Sequence, residues 1–363
     1  MFKLQRPFCL NISHFLRLHP EITSFLLHHM GNSNSKFINS NTLTPSFHKS
    51  DSSDTALSNR TEDRDLSTIP PYSDDSYYDE RKANFRFQDG RRYHGVKGIA
   101  SILPNDDREM DRLSEEHYMV KLAFDGNIQA PVKDLLKQGA TVLSAGCGPG
   151  VWMLDCAHDY PESNFLGIDI SPVFPISIKP KNTEFMLGNI VEGLPFSDNT
   201  FDFVFARLLY GFLTDDDWNL AIKEYIRVTK PGGYIELVEC DSRPYRCGPR
   251  FKRIMTQGCR AMEARLLKPY IGPKLSGMLE EAGLIKINSN FSSIPINWGG
   301  PLGDIGKSVF CETMKSLKPW LTKVIDMSPD IYDTEIQEAI KEAGEFKAYF
   351  NMYYAFGQKS IEA

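Results

Sequence analysis

The sequence predicts an α/β protein built on a doubly wound, mostly parallel sheet, and three observations carry that expectation. From Ala140 onward, short apolar runs alternate with helical segments, the pattern of parallel strands joined by covering helices. The first run leads directly into Ala145-Gly146-Cys147-Gly148-Pro149-Gly150, a glycine-rich corner in front of a helix. The second run ends in Gly167-Ile168-Asp169, which places a carboxylate at the C-terminal edge of a strand.

In chain order, Asp106 or Asp107 caps a first helix whose apolar positions include Met110, Leu113, Tyr118, Val120, Leu122 and Phe124 and which closes near Gly126. Pro131 opens a second, short helix through Leu135 and Leu136. Strands are predicted at 141–144, 164–168, 184–187, 201–205 and 234–238. Between the last two lies a helix over 215–228, with Trp218, Ala221, Ile222, Tyr225 and Ile226 on one face. Thr214 and Asp217 form a capping-box pattern at its start, and Pro231 with Gly232 stops it. Beyond Cys240 helices are predicted at 250–267 and 273–282, a strand at 284–291, helices at 305–324 and 333–343, and a Tyr- and Phe-rich final strand at 348–356.

The 363 residues are 41% hydrophobic and 24% charged, enough apolar material for a core without disulfides, and unlike collagen, coiled-coil or wholly disordered chains. Forty-one Lys and Arg against 47 Asp and Glu give a net charge of −6, so nucleic acid is not an expected partner. Seven cysteines, odd in number and without a C-x-x-C pair, fit a reducing compartment, and a cytoplasmic location is expected. The histidines (His14, His19, His28, His29, His48, His94, His117, His158) form no ligand pattern, and no metal is expected. No apolar run approaches the ~18 residues that span a bilayer; even the stretch from Phe201 to Leu213 holds Asp202 and Arg207.

Residues 1–84 are expected to form a disordered N-terminal arm, and from Asn32 to about Glu80 apolar side chains are too sparse to offset ordering entropy. Its first 30 residues combine Lys3, Arg6 and Arg17 with apolar side chains, as a mitochondrial targeting segment or a simple leader does. Met30-Gly31-Asn32-Ser33-Asn34-Ser35 matches a myristoylation pattern for a chain starting at Met30. Nine acids against two bases over 51–80 precede a basic stretch over 81–97, two blocks that neutralise one another. The rest divides into N-terminal helices (85–138), a cofactor-binding core (139–241) and a substrate lid with the final strands (242–363).

Glycines at such a corner permit positive φ and let a ligand lie against backbone N–H groups at a helix N-terminus. Asp169, 19 residues after Gly150, suits a ribose diol. Val151 stands where a dinucleotide fingerprint needs its third glycine, which disfavours a nicotinamide dehydrogenase and favours an adenosine ligand without a diphosphate.

Together these motifs resemble the class I S-adenosylmethionine-dependent methyltransferases. The stretch from Val142 to Gly150 is similar to their glycine-rich motif, and Leu166 to Ser171 to the ribose-binding strand end. Gly188-Asn189-Ile190 resembles the adenine-contacting turn, Phe201 to Val204 the fourth strand, and Lys230 to Tyr234 the approach to the fifth. A narrower likeness, in the stretch from Pro104 to Leu113, in Phe205-Ala206-Arg207-Leu208-Leu209 and in the stretch from Gly233 to Glu239, is to fungal methyltransferases related to the regulator of secondary metabolism. It implies a fungal source and a nuclear or regulatory member.

The resemblance implies a Rossmann-like, seven-stranded sheet with the last strand antiparallel. It also implies S-adenosyl-L-methionine as cofactor, held by Ser144, Gly146, Cys147, Gly148, Gly150, Asp169, Ile170, Asn189, Ile190, Ala206 and Arg207. Ser144 and Asn189 replace acids usual in the family, so weaker cofactor binding is expected.

Methyl transfer from a sulfonium is an in-line displacement that rests on alignment, with a general base useful for a hydroxyl or amine acceptor. The base candidates are His117, Tyr118, Tyr210, Glu239 and Asp241. Each has a plainer reading: His117 as a solvated helix residue, the tyrosines as packing, the acids as strand-end caps. Arg207 is expected to brace the cofactor pocket or to pair with Asp202 or Glu236. Trp298, Phe310, Met314 and Trp320 can line an apolar pocket for a small-molecule acceptor, or simply pack. A regulatory module that keeps the fold and acts through a protein partner is the rival to the enzyme.

Overall fold

The computed structural model describes residues 85–96 and 102–362. The expected arm over 1–84, its targeting segment at 1–30 and the Met30 start lie outside the described residues. The chain opens with an antiparallel hairpin, β1 (Phe85–Gln88) and β2 (Arg91–His94). Its two-residue turn, Asp89-Gly90, has φ of 51° and 75°, the doubly positive geometry that matches strand twist. Sequence reasoning expected only helices over 85–138 and took these residues as a basic block. The Asp-Gly pair was the available signal.

Helix α1 (Asp107–Ala123) is capped by Asp106, whose side chain accepts from Glu109 N at 3.2 Å. Arg91 of β2 binds the same carboxylate at 2.6 Å, latching the hairpin to the helix start. Then follow α2 (Lys133–Gln138), β3 (Thr141–Ala145), α3 (Val151–Asp159), β4 (Asn164–Asp169), β5 (Thr183–Leu187) and β6 (Phe201–Arg207). Helix α4 (Asp215–Val228) shows the expected capping box and buries Trp218, Ala221, Ile222 and Tyr225. After it come β7 (Thr229–Tyr245), α5 (Pro249–Glu263), α6 (Leu275–Glu281), β8 (Ile285–Pro295), α7 (Pro301–Val324), α8 (Pro329–Phe346) and β9 (Tyr349–Gln358).

The seven strands from β3 to β9 form one sheet in the order β5-β4-β3-β6-β7-β9-β8. Pairs β3 to β7 are parallel, while β9 runs antiparallel between β7 and β8. Central strands are buried on both faces, and Val142, Leu143, Phe203 and Val204 have no exposure. Strand order reverses at β3, so the C-terminal ends of β3, β4 and β6 frame a crevice.

Two helices start earlier than the apolar periodicity predicted. Pro301 and Pro329 occupy their first positions, where the missing N–H is no loss, and Ser328 caps α8. Helices α5, α7 and α8 pack with β9 into a second apolar cluster centred on Phe251, Phe310, Tyr332 and Phe350.

Candidate active site

The site is built from strand ends. At the end of β3, Gly146 N and Cys147 N both donate to Ile168 O, at 2.8 and 3.0 Å, and Gly150 N donates to Cys147 O at 2.9 Å. Gly148 N donates to Asp169 Oδ2 at 2.8 Å. These loop amides therefore hold the loop itself, which corrects the expectation that they face a ligand; a diphosphate would find them already engaged.

The three glycines have φ of 68°, 53° and 77°. A Cβ at Gly146 would lie 2.6 Å from Leu209 Cδ2, and one at Gly150 would lie 2.5 Å from the Phe185 ring. At Gly148 it would meet only Leu113, at 3.9 Å.

Above this edge lies a cavity of about 260 Å³. Ser144, Gly146, Cys147, Gly148, Asp169, Ile170, Asn189, Ile190 and Arg207 line it, so nine of the sequence-predicted cofactor residues converge. Gly150 and Ala206 do not reach the wall. Gly150 is the left-handed cap of α3 with its backbone against Phe185, and Ala206 is 1% exposed within β6. Asp169 also accepts from Ser171 N at 2.9 Å. Burial pushes its carboxyl above the ordinary value, and the N–H groups of Ser171, Gly148 and Ile170 pull it back. Asn189 caps a 3-10 turn, with Oδ1 accepting from Val191 N at 3.3 Å and Nδ2 donating to Glu192 at 2.9 Å.

This donor set fits the adenosine part of S-adenosyl-L-methionine. A half-buried carboxylate suits a ribose diol, Ile170 and Ile190 offer apolar faces to a base, and Gly148 lets a ligand approach the backbone closely.

Of the base candidates only Tyr210 lines the cavity. His117 is wholly buried, not solvated as expected. Its Nε2 lies 3.0 Å from Asp155 Oδ2 and its Nδ1 3.3 Å from Arg207 Nη2. Because arginine can only donate, Nδ1 accepts and Nε2 carries the proton: a neutral ring, whose pKa burial lowers to about 4. Asp155 also binds Lys121 Nζ at 2.6 Å and Asn127 Nδ2 at 2.8 Å. Tyr118 stands edge-on to His117 with its pKa raised to about 12 by burial and the Asp155 charge.

Glu239 is fully buried, with its pKa raised by burial to about 8, and it accepts the backbone N–H of Leu209 and Tyr210 at 2.7 and 3.1 Å. Asp241, also buried, accepts from the Tyr245 hydroxyl at 3.0 Å. The expected partners of Arg207 are engaged elsewhere: Asp202 binds Lys230 at 2.9 Å, and Glu236 accepts from Ala130 N at 2.7 Å. Its guanidinium instead meets His117, and burial lowers its pKa.

Sequence reasoning missed three residues of this wall. His94 on β2 is 8% exposed, and neither ring nitrogen has a hydrogen-bond partner among the described residues. Burial and the Arg86 charge lower its pKa. Arg112 and Glu116, one turn apart on α1, pair at 3.0 Å. The helical repeat that buried His117 turns its neighbour Glu116 to the cavity, a placement that needed the face of α1 to be known.

No helix among the described residues is long and apolar enough to cross a membrane. The described cysteines, Cys147, Cys156, Cys240, Cys247, Cys259 and Cys311, are all free.

Residues 142–233 match the family described as "Methyltransferase domain". The secondary metabolism regulator laeA of Aspergillus niger is 29% identical over 223 residues, 59% of this chain and 57% of that protein, so the chain spans little more than half of that relative. Methyltransferase pytC of Aspergillus terreus is 26% identical over 296 residues, 76% of this chain and 88% of that protein. Methyltransferase str2 of Strobilurus tenacellus is 30% identical over 207 residues, 56% of this chain and 73% of that protein. With the family match running from the glycine loop to the approach of β7's central run, and with these relatives alongside the sheet order and the cavity, the chain belongs to the class I S-adenosyl-L-methionine-dependent methyltransferases.

Proposed function

We propose that this chain transfers a methyl group from S-adenosyl-L-methionine to a small-molecule acceptor by in-line displacement. The observation that carries the reading is the convergence of Asp169, Asn189, Ser144 and the glycine loop on one cavity at the strand-order reversal. The bound sulfonium supplies an already activated methyl group, so the protein's share is alignment and exclusion of water. Asp169 orients the ribose, Ile170 and Ile190 hold the adenine, and Arg207, fixed by His117, braces the wall beside β6. Tyr210 faces the cavity from the loop that Glu239 positions. In this reading residues 85–138 roof the site, 139–241 bind the cofactor and 242–363 enclose the acceptor, and the protein acts in the cytoplasm.

Calorimetric titration with S-adenosylmethionine and S-adenosylhomocysteine tests it, with NAD as control. Micromolar binding that Asp169→Ala weakens at least about tenfold supports the reading. A folded protein that binds neither ligand overturns it, and a regulatory module acting through a partner then takes its place.

A further inference from the structure

Behind the cofactor cavity lies a second chamber, of about 120 Å³. The two share Glu116, Tyr210, Met262, Thr313 and Leu317 as walls, so they meet at the α1–α7 contact. The chamber is apolar: Phe310, Met314 and Trp320, three of the four residues expected at an acceptor pocket, line it, while Trp298 is turned away to donate to Ala348 O at 2.6 Å. A recess lined mainly by apolar side chains favours an apolar guest.

Two features indicate that the space is kept open. Gly258 stands inside α5, where glycine is a poorer helix former than alanine. A Cβ there would meet nothing within 4 Å, and the residue lines the chamber. In the opposite wall Trp320 is 9% exposed, and its indole N–H has no hydrogen-bond partner among the described residues. A buried donor left unpaired is unfavourable, and a guest with an oxygen within reach relieves that.

At the junction, Glu116 lines both spaces, and its Oε2 accepts from Arg112 Nη1 at 3.0 Å. Arg112 itself is occupied by Glu109 at 2.8 Å and Thr313 at 3.2 Å. The polar group offered to a guest is therefore a carboxylate, which attracts an O–H or N–H donor and repels an acid.

We propose that the chamber holds the body of the methyl acceptor, a lipophilic alcohol or amine, and that Glu116 takes its proton. This rests on the methyltransferase reading above. The acceptor's heteroatom lone pair forms the bond to the transferred methyl carbon, the electron pair of the breaking carbon–sulfur bond stays on sulfur, and the acceptor proton passes to Glu116.

The test uses the full chain and the fluorescent lipophilic amine N-phenyl-1-naphthylamine as probe, with S-adenosylhomocysteine binding measured in parallel. The probe binds with enhanced emission, and octylamine or octan-1-ol displaces it at least about tenfold better than octanoate. Gly258→Leu weakens the probe by about tenfold or more and Gly258→Ala by less, both with S-adenosylhomocysteine affinity unchanged. Glu116→Gln abolishes the discrimination against octanoate. A protein that binds S-adenosylhomocysteine but not the probe, or whose probe binding ignores residue 258, overturns the proposal while leaving the methyltransferase reading intact. Probe binding without S-adenosylhomocysteine binding overturns that reading instead, and with it the acceptor role of the chamber.

Discussion

Glu239 Oε1 accepts the backbone N–H of Leu209 at 2.7 Å, and the Leu209 side chain occupies the space that a Cβ on Gly146 would need. This carboxyl group thus sets the glycine loop from a distance, through one leucine, without lining the cavity. Glu239→Ala leaves the buried N–H groups of Leu209 and Tyr210 without their acceptor, a loss of about 2–4 kcal/mol in urea unfolding. Glu239→Gln keeps an acceptor oxygen and loses less. A Glu239→Ala protein of normal stability but without turnover would instead make Glu239 a reacting group.

The glycines of the loop are expected to differ in their tolerance of alanine. Gly150→Ala combines a left-handed backbone, at about 1–2 kcal/mol, with a clash against the Phe185 ring, and should melt lowest. Gly146→Ala meets the more compliant end of Leu209 and comes next. Gly148→Ala carries the backbone strain alone, so it loses only that about 1–2 kcal/mol and melts highest of the three. Thermal melts of the three variants check the order.

Acid stability should depend on His117. Its folded pKa lies below the ordinary 6.5, so its contribution is fully present above pH 6.5 and is lost as pH falls through about 4. Integrated over that window, the fully buried ring accounts for about 3 kcal/mol. Urea unfolding of the parent and His117→Gln at pH 7, 5.5 and 4.5 isolates the term; parallel pH profiles would refute it.

His94→Leu removes two buried ring nitrogens that have no partners among the described residues, and should stabilise the ligand-free protein by about 1–2 kcal/mol. A destabilised variant in differential scanning calorimetry would show that the ring is hydrogen-bonded in solution.

Much of this architecture was legible because local signals agreed with the global fold. Thr214 and Asp217 announced α4, and the glycine corner with Asp169 announced the edge of the cavity, since turn chemistry and strand ends are written in adjacent residues. What escaped was set by tertiary contact. That Glu116 faces a cavity while His117 is buried follows from what α1 packs against, and that Arg207 finds His117 rather than Asp202 follows from a 90-residue separation. The hairpin at 85–94 was hidden for a different reason, its Asp-Gly turn lying within a run of arginines that read as charge alone.

The antiparallel placement of β9 bears on how the protein is made. Among the described residues strand β8 pairs only with β9, which follows it in the chain, so an emerging chain can assemble β3 to β7 but holds β8 unpaired until residue 358 or so is free. Sheet closure is therefore a late, long-range step during synthesis, when an exposed edge on β7 is open to the wrong partner. Premature stops within α8 should yield aggregates in place of a trimmed soluble core.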